Sequence, residues 1–218
     1  VSATAGELPG VRRPRQLRSE DSLRRIVRSA RETLETKSFE EATLSELVAG
    51  AGLTTGAFYA RFDSKEALLD YLEREAYDDL RSAMVKRLAL REPPVTVEQG
   101  IRQFLTAMSL LYREHRGVVR AILLASRSDP ERNARRMKMA RELLTRGVET
   151  LLGLEGPIRH PDPPRAVRIA LLFTVSALRD VMLFDEDWLT SPGEEVGTTE
   201  LVDELTLAAV AYLERDHA

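Results

Sequence analysis

Apolar side chains recur along most of this chain at the spacing of an α-helix, and no stretch shows the strict alternation of a strand. Leu23, Ile26, Val27, Ala30 and Leu34 form the first stripe, of a helix that starts near Ser19 and runs to about Thr36. Leu44, Leu47, Val48 and Ala51 form a second, at i, i+3, i+4 and i+7, about two turns long. Thr43 and Glu46 stand before it as a T-x-x-E capping box, in which each side chain bonds the other residue's backbone N–H. Gly52 falls where the chain must take a positive φ to leave that helix. Leu53 then returns to the core, and Thr54 or Thr55 caps a third helix that turns Phe58 and Phe62 inward. Two short helices joined by a glycine turn predict a helix-turn-helix, whose second helix enters the DNA major groove.

The rest of the chain continues in helices. From Asp63 or Ser64 a long one is expected to run to about Leu90, with Asp63 and Glu66 as its capping box and Leu68, Leu72, Ala76, Leu80, Ala83 and Met84 in period. The two prolines of REPPVT, residues 91–96, break it. Thr96 and Gln99 open the next, which carries Ile101, Phe104, Leu105, Met108, Leu111 and Tyr112 to about His115, and a shorter helix spans about 118–126. Ser128, Asp129 and Pro130 start another that runs to about Leu152, and GLEGPIRHPDPP ends it. Asp162 caps a helix whose middle, IALLFTVSALRDVMLF, is apolar nearly all round, so it must be covered on every side. Beyond the acidic DEDWLTSPGEEVG, a last stripe comprises Leu201, Val202, Leu205, Ala208, Ala209, Tyr212 and Leu213. The expected fold is all-α with about nine helices. Its parts are a basic arm over 1–17, a three-helix DNA-binding domain over 18–65, and a helical regulatory and dimerisation domain over 66–218.

With 218 residues, 43% of them hydrophobic, the chain is long enough to bury a substantial core. Its net charge of −3 argues against nucleic acid, but the charge is unevenly placed. Residues 1–65 hold 11 Lys/Arg against 9 Asp/Glu, and within 10–31 eight arginines face only Glu20 and Asp21. A basic end suits phosphate, and an acidic body suits solvent or a partner. Without cysteine there is no disulfide, thiol nucleophile or thiolate metal site, which suits a reducing cytoplasm. The first ten residues lack the apolar run of a signal peptide. The longest uncharged apolar run, 169–178, is bounded by Arg168 and Arg179 and is too short to span a bilayer. A cytoplasmic protein with no membrane association is the expectation.

Once Phe58 and Phe62 are assigned inward, the second short helix offers Thr54, Thr55, Ala57, Tyr59 and Arg61 outward. Hydroxyls reach bases or phosphates, a small side chain meets a thymine methyl, and arginine reads guanine with two hydrogen bonds. Tyr59 suits a phosphate oxygen, and Lys65 stands in the first turn of the next helix, where free N–H groups favour an anion. An ordinary helical hairpin with solvated polar residues is the competing reading. The segment FEEATLSELVAGAGLTTGAFYARFDSKEALL, residues 39–69, resembles the DNA-binding domain of the tetracycline-repressor (TetR) family. The likeness lies in the F-x-x-x-T opening, the A-G-L turn, G-x-F-Y-x-x-F and the S-K-E-x-L-L exit. The resemblance implies phosphate contacts from Thr43, Tyr59 and Lys65, and base reading from Thr54, Thr55, Ala57 and Arg61. Ser38 stands where the family usually has glycine, and Val48 where it usually has alanine. Both departures touch packing and not the contact face.

One helix-turn-helix reads too few base pairs to select a genomic site, so a homodimer on palindromic double-stranded DNA is expected. The all-round apolar helix suggests pairing through the last two helices, about 163–186 and 199–214, as a four-helix bundle, which is also how the resembled family dimerises. The family also implies repression relieved by a small-molecule effector. Tyr77, Met84, Phe104, Met108, Tyr112, Met137 and Phe173 are the candidates to line its pocket, with plain core packing as their alternative. Arg179 and Asp180, with Arg168 three turns earlier, are assigned to pairing across the dimer seam or to an anionic ligand. No enzyme signature is present: no Gly-rich phosphate loop, H-E-x-x-H or G-x-S-x-G appears, and the three histidines are scattered. No catalytic residue, metal site or cofactor is expected. A helical ligand-binding or scaffolding dimer without DNA binding is the alternative function, and it leaves Thr43, Tyr59 and Lys65 without a purpose.

Overall fold

The computed structural model describes residues 17–90, 93–184 and 197–215, apart from the side chains of 17–19 and 83–90. Among them are nine α-helices: α1 (Leu17–Thr36), α2 (Leu44–Ala49), α3 (Thr55–Tyr59), α4 (Lys65–Leu90), α5 (Val97–Glu114), α6 (Arg116–Ala125), α7 (Pro130–Leu152), α8 (Pro163–Phe184) and α9 (Thr198–Glu214). An isolated bridge pairs Thr96 with Glu155. No helix of the described residues is long and apolar enough to cross a membrane.

The helices begin where short-range chemistry says they should. Thr43 and Glu46 cap α2 reciprocally. Thr96 and Gln99 do the same for α5, the Thr96 hydroxyl accepting from the Gln99 N–H at 3.2 Å and the Gln99 amide oxygen accepting from the Thr96 N–H at 3.4 Å. The Asp129 carboxylate accepts from the Arg132 N–H before Pro130 opens α7, and Asp162 does so from Arg165 before α8. At α4 the cap is one residue later than expected. The Ser64 hydroxyl, not Asp63, accepts the Ala67 N–H at 3.1 Å.

The chain divides into two compact units. The first comprises the described residues up to Asp78 together with His115–Ser128, and so contains α1, α2, α3, the first half of α4 and α6. Ile26, Ala30 and Leu34 of α1, Leu47 of α2, Phe58 and Phe62 around α3, Leu68, Leu69 and Leu72 of α4 and Val118 of α6 are almost wholly buried. The unit extends past the boundary expected at residue 65 because Leu72 and Ala76 are still buried on α4, and because α6 docks on α1. Gly117 makes that docking possible: a Cβ there would lie 2.4 Å from the Leu34 carbonyl oxygen. The two helix ends then cap each other. The Glu35 carboxylate accepts the Gly117 N–H at 3.1 Å, and the Arg120 guanidinium donates to the Leu34 and Glu35 carbonyls at 3.0 and 3.1 Å. An anion thus meets the N-terminus of α6 and a cation the C-terminus of α1, the favourable sense for both helix dipoles. Nearby, Arg31 donates to Nδ1 of the buried His115 at 3.0 Å and pairs with Glu75 at 3.1 Å. Glu75 also accepts the Tyr71 hydroxyl at 3.1 Å, and burial first, then that carboxylate's charge, raises the Tyr71 phenol to about 12.

The second unit packs α5, α7, α8 and α9 around Ile101, Leu105, Leu151, Leu171, Leu178, Ala209 and Leu213. Arg102 of α5 pairs with Asp203 of α9 and with Glu98 on its own helix. Within this unit α8 and α9 do not bury their whole circumference. Ile169 and Leu172 on α8 and Leu207 on α9 are 37%, 59% and 53% exposed, and Ala208 and Ala211 lie open beside Leu207. The expectation that Ala208 and Ala209 share one apolar stripe is therefore corrected: Ala209 is fully buried in its own chain, whereas Ala208 faces outward.

Candidate nucleic-acid interface

The polar face predicted around the short helices is set by what holds them from behind. Helices of five and six residues cannot persist by themselves, since nucleation costs more than so few turns return. Phe58 and Phe62 supply the anchor, both fully buried, with ring centroids 5.3 Å apart and Phe62 meeting Tyr71 edge-on at 5.8 Å. Gly52 takes φ +60° in the turn between α2 and α3, a region side chains other than glycine's rarely occupy.

With that backing, α3 presents Thr54, Thr55 and Tyr59 to solvent, and Ala57 half-buried. Tyr59 is 51% exposed, although its ring touches Phe58 edge-on at 5.5 Å. The Thr54 hydroxyl oxygen accepts the Ala57 N–H at 3.2 Å as the α3 cap, which leaves its proton to donate elsewhere. Arg61 departs from expectation in one respect: α3 ends at Tyr59, so Arg61 follows the helix and is not on it. Its N–H bonds the Phe58 carbonyl at 2.8 Å, a tight turn that keeps its half-buried side chain next to the helix C-terminus.

The N-terminus of α2 is tied down. The Thr43 N–H and hydroxyl both donate to Glu46 Oε2, at 2.9 and 3.0 Å, while the hydroxyl oxygen accepts the Glu46 N–H at 3.2 Å. Lys37 reaches Glu46 Oε1 at 2.5 Å. Lys37 first, then the Thr43 N–H and hydroxyl, hold the Glu46 carboxyl down at about 2, so it is ionised at neutral pH. Lys65 is held by two of its three N–H bonds. Its ammonium donates to the carbonyls of Phe39 at 2.5 Å and Ala42 at 2.9 Å, and lies 4.3 Å from the centre of the Phe39 ring.

The seven residues named as pocket candidates are divided between the two units. Tyr77 belongs to the first unit, and Phe104, Met108, Tyr112, Met137 and Phe173 to the second. Met84's side chain lies outside the described residues. Met108 and Tyr112 are buried on α5, and Phe104 is half-buried. Phe173 meets Tyr212 edge-on at 5.9 Å. Met137 is 44% exposed, so in the single chain it faces water. Arg179 pairs with its neighbour Asp180 at 2.8 Å, and Arg168, exposed on the same helix, is apart from that pair. Gly117, Arg120, Glu35 and His115, which organise the contact of α6 with α1, escaped sequence reading because their partners lie more than eighty residues away. No group of three or more metal-ligating side chains occurs among the described residues.

The family described as bacterial regulatory proteins, tetR family, matches residues 26–72, from the middle of α1 into α4. That segment is similar to the DNA-binding region of the TetR family. A curated relative, the HTH-type transcriptional regulator EthR of Mycolicibacterium smegmatis, is 31% identical over 135 residues, which are 60% of this chain and 59% of that one. The chain thus spans about three fifths of the length of the curated relative it matches. Two solved structures share the fold. The TetR-family regulator PfmR from Thermus thermophilus aligns over 88% of this chain and 100% of its own, at TM-score 0.60 and 22% identity. A regulatory protein in the tetR family from Rhodococcus RHA1 aligns over 88% and 96%, at TM-score 0.65 and 21% identity. The TetR-type helix-turn-helix therefore occupies the first unit, and the likeness of fold extends over the helices beyond it.

Proposed function

We propose that the chain is a sequence-specific DNA-binding transcriptional regulator that works as a homodimer on a palindromic operator, as a repressor released by a small molecule. The observation that carries this reading is the division of α3 and its flanks into two faces. Phe58 and Phe62 are fully buried, and the opposite side shows water Thr54, Thr55 and a tyrosine that is half open. Those groups donate hydrogen bonds to bases and phosphates, and Arg61 adds a guanidinium suited to the guanine edge. Thr43, Tyr59 and Lys65 are assigned to phosphate, and Thr54, Thr55, Ala57 and Arg61 to base reading. Thr43 must turn its hydroxyl proton from Glu46 to do so.

Dimerisation is supported by the open apolar strip of α8 and α9, with Ile169, Leu172 and Leu207 as its large members. Each buried leucine of this kind stabilises by about 1.5–3 kcal/mol. Two copies laid face to face remove both strips from water and form the four-helix bundle expected from the sequence. An effector acts by binding more tightly to one spacing of the two α3 helices than to another. The buried Met108 and Tyr112, with half-buried Phe104 and Phe173, are the candidates to meet it. The regulator assigned here carries out no chemistry, needs no cofactor and works in the cytoplasm.

The test is to incubate the purified protein with sheared genomic DNA, recover the bound fragments, and titrate them at several salt concentrations. A regulator of this kind enriches a small set of fragments, and its affinity falls steeply with salt as counterions are released. A ligand-binding or scaffolding dimer without DNA binding enriches none.

A further inference from the structure

We infer that the open strip of α8 and α9 takes a second copy of this chain in one register, with Arg165 and Arg168 of one protomer against Glu200 and Glu204 of its partner. The inference rests on the homodimer proposed above and adds what selects the partner. Along α8, Arg165, Arg168, Ile169 and Leu172 fall on one exposed face, and along α9 Glu200, Glu204, Leu207 and Ala211 do the same. The two helices run antiparallel. The Arg159 N–H, just before α8, bonds the Leu213 carbonyl near the end of α9, and Phe173 meets Tyr212 edge-on. The strip therefore has a basic end, an apolar middle and an acidic end. The other charges at those ends cancel: Arg179 pairs with Asp180 beside the acidic end, and Glu214 and Arg215 are neighbours at the basic one. The side chains of Arg165, Arg168, Glu200 and Glu204 take no ion pair among the described residues. Arg165 stands in the first turn of α8, where the helix dipole disfavours a cation, so its own helix gains nothing from it.

The spacing decides how two such strips meet. With Phe173 and Tyr212 at one level, Arg168 lies about 7.5 Å to one side and Glu204 about 12 Å to the other, at about 1.5 Å per residue. The middle of the run from Ile169 to Leu207 falls within about 1 Å of that level. A two-fold axis through that middle and across the helices carries the partner's Glu204 to about 10 Å on the basic side, between Arg168 and Arg165. The same axis lays one apolar middle on the other. An axis along the helices would instead set arginine against arginine and glutamate against glutamate, which repulsion disfavours. Charge thus fixes the register and turns away apolar strips whose ends do not complement these.

Charge reversal tests this. One variant carries Arg165→Glu and Arg168→Glu, a second carries Glu200→Arg and Glu204→Arg, and a third carries all four. Each is studied by sedimentation over a range of concentration, alone and as an equimolar mixture of the first two with one tagged for mass. The first and second variants are each expected to raise the dimer dissociation constant on the order of a hundredfold, and added salt to narrow that gap. Their mixture is expected to give the one-to-one heterodimer at near wild-type affinity, and the fourfold variant to form homodimers again. Should a doubly reversed variant fail to fold, Arg168→Glu or Glu204→Arg alone takes its place. A dimeric wild type whose reversed variants dimerise equally well would overturn the inference and leave these charges to solvent. So would reversed variants that stay monomeric when mixed, because the two ends then do not meet. A wild-type protein that is monomeric at every concentration would defeat the proposed homodimer itself, and this register with it.

Discussion

The two units of this chain treat their outward faces in opposite ways. In the first, the aromatic rings that define α3 turn wholly inward, and what remains outside is hydroxyls, a phenol and a guanidinium. In the second, α8 and α9 bury one side and leave Ile169, Leu172 and Leu207 in water. A polar face of hydrogen-bond donors fits a polyanion, and an apolar strip fits another apolar strip. The contrast also separates two sources of rigidity. The short helices of the first unit depend on caps and two phenylalanines, whereas α5, α7, α8 and α9, each at least 17 residues long, depend on extended packing.

The strongest way to break the contrast is to remove an anchor. Phe58→Ala is expected to cost about 3–5 kcal/mol and to abolish DNA binding while the second unit stays folded. Hydrogen exchange checks this, with new exchange confined to residues of the first unit; loss of protection on α8 would contradict it. Next in size, glutamates placed at Leu172 and Leu207 should part the dimer, removing about 1.5–3 kcal/mol of burial per leucine before any charge is counted. Sedimentation should show a folded monomer. The distinction between neighbouring alanines sharpens the point: Ala208→Glu should separate subunits, whereas Ala209→Glu should unfold the chain. Gly117→Ala sets a Cβ against the Leu34 carbonyl and should lower the stability of the first unit by about 1–3 kcal/mol, read as a shift in its thermal midpoint. Replacing Thr55 or Arg61 by alanine should cost about 1–3 kcal/mol at particular base pairs, and equal loss on every sequence would contradict base reading.

The smallest effect is in pH. The Glu46 carboxyl is lowered from 4.5 to about 2 in the folded chain. A depressed folded pKa adds stability that is complete above the unfolded value and disappears as pH falls through the folded one. The α2 cap should accordingly loosen between about 4.5 and about 2, seen as exposure of the Thr43 and Glu46 amides, and Glu46→Gln should remove the pH dependence. Because Glu46 is exposed at the surface, the change should stay local.

What could be read in the sequence was whatever acts within four residues. The caps at Thr43, Thr96, Asp129 and Asp162, the positive φ at Gly52 and the inward Phe58 and Phe62 all follow from local spacing. What could not be read depends on partners brought together by folding. Lys65 looks like a surface cation at a helix start, and only the turn 23 to 26 residues earlier shows where its hydrogen bonds go. Gly117 looks like an ordinary residue of a short helix until Leu34 is placed beside it. An all-round apolar helix such as α8 says that every side is covered, but not which side its own chain covers. Ala208 and Ala209 differ in that respect and in nothing local.

The central claim is that a paired molecule lays two α3 helices into one face of a duplex. Hydroxyl-radical footprinting of the dimer on a recovered fragment tests it most directly. The account predicts two protected patches related by a two-fold axis, with centres about 10 base pairs or a multiple of that apart, and their joint loss in the glutamate variant that parts the dimer. A single unpaired patch, or full protection by the separated subunit, would contradict it.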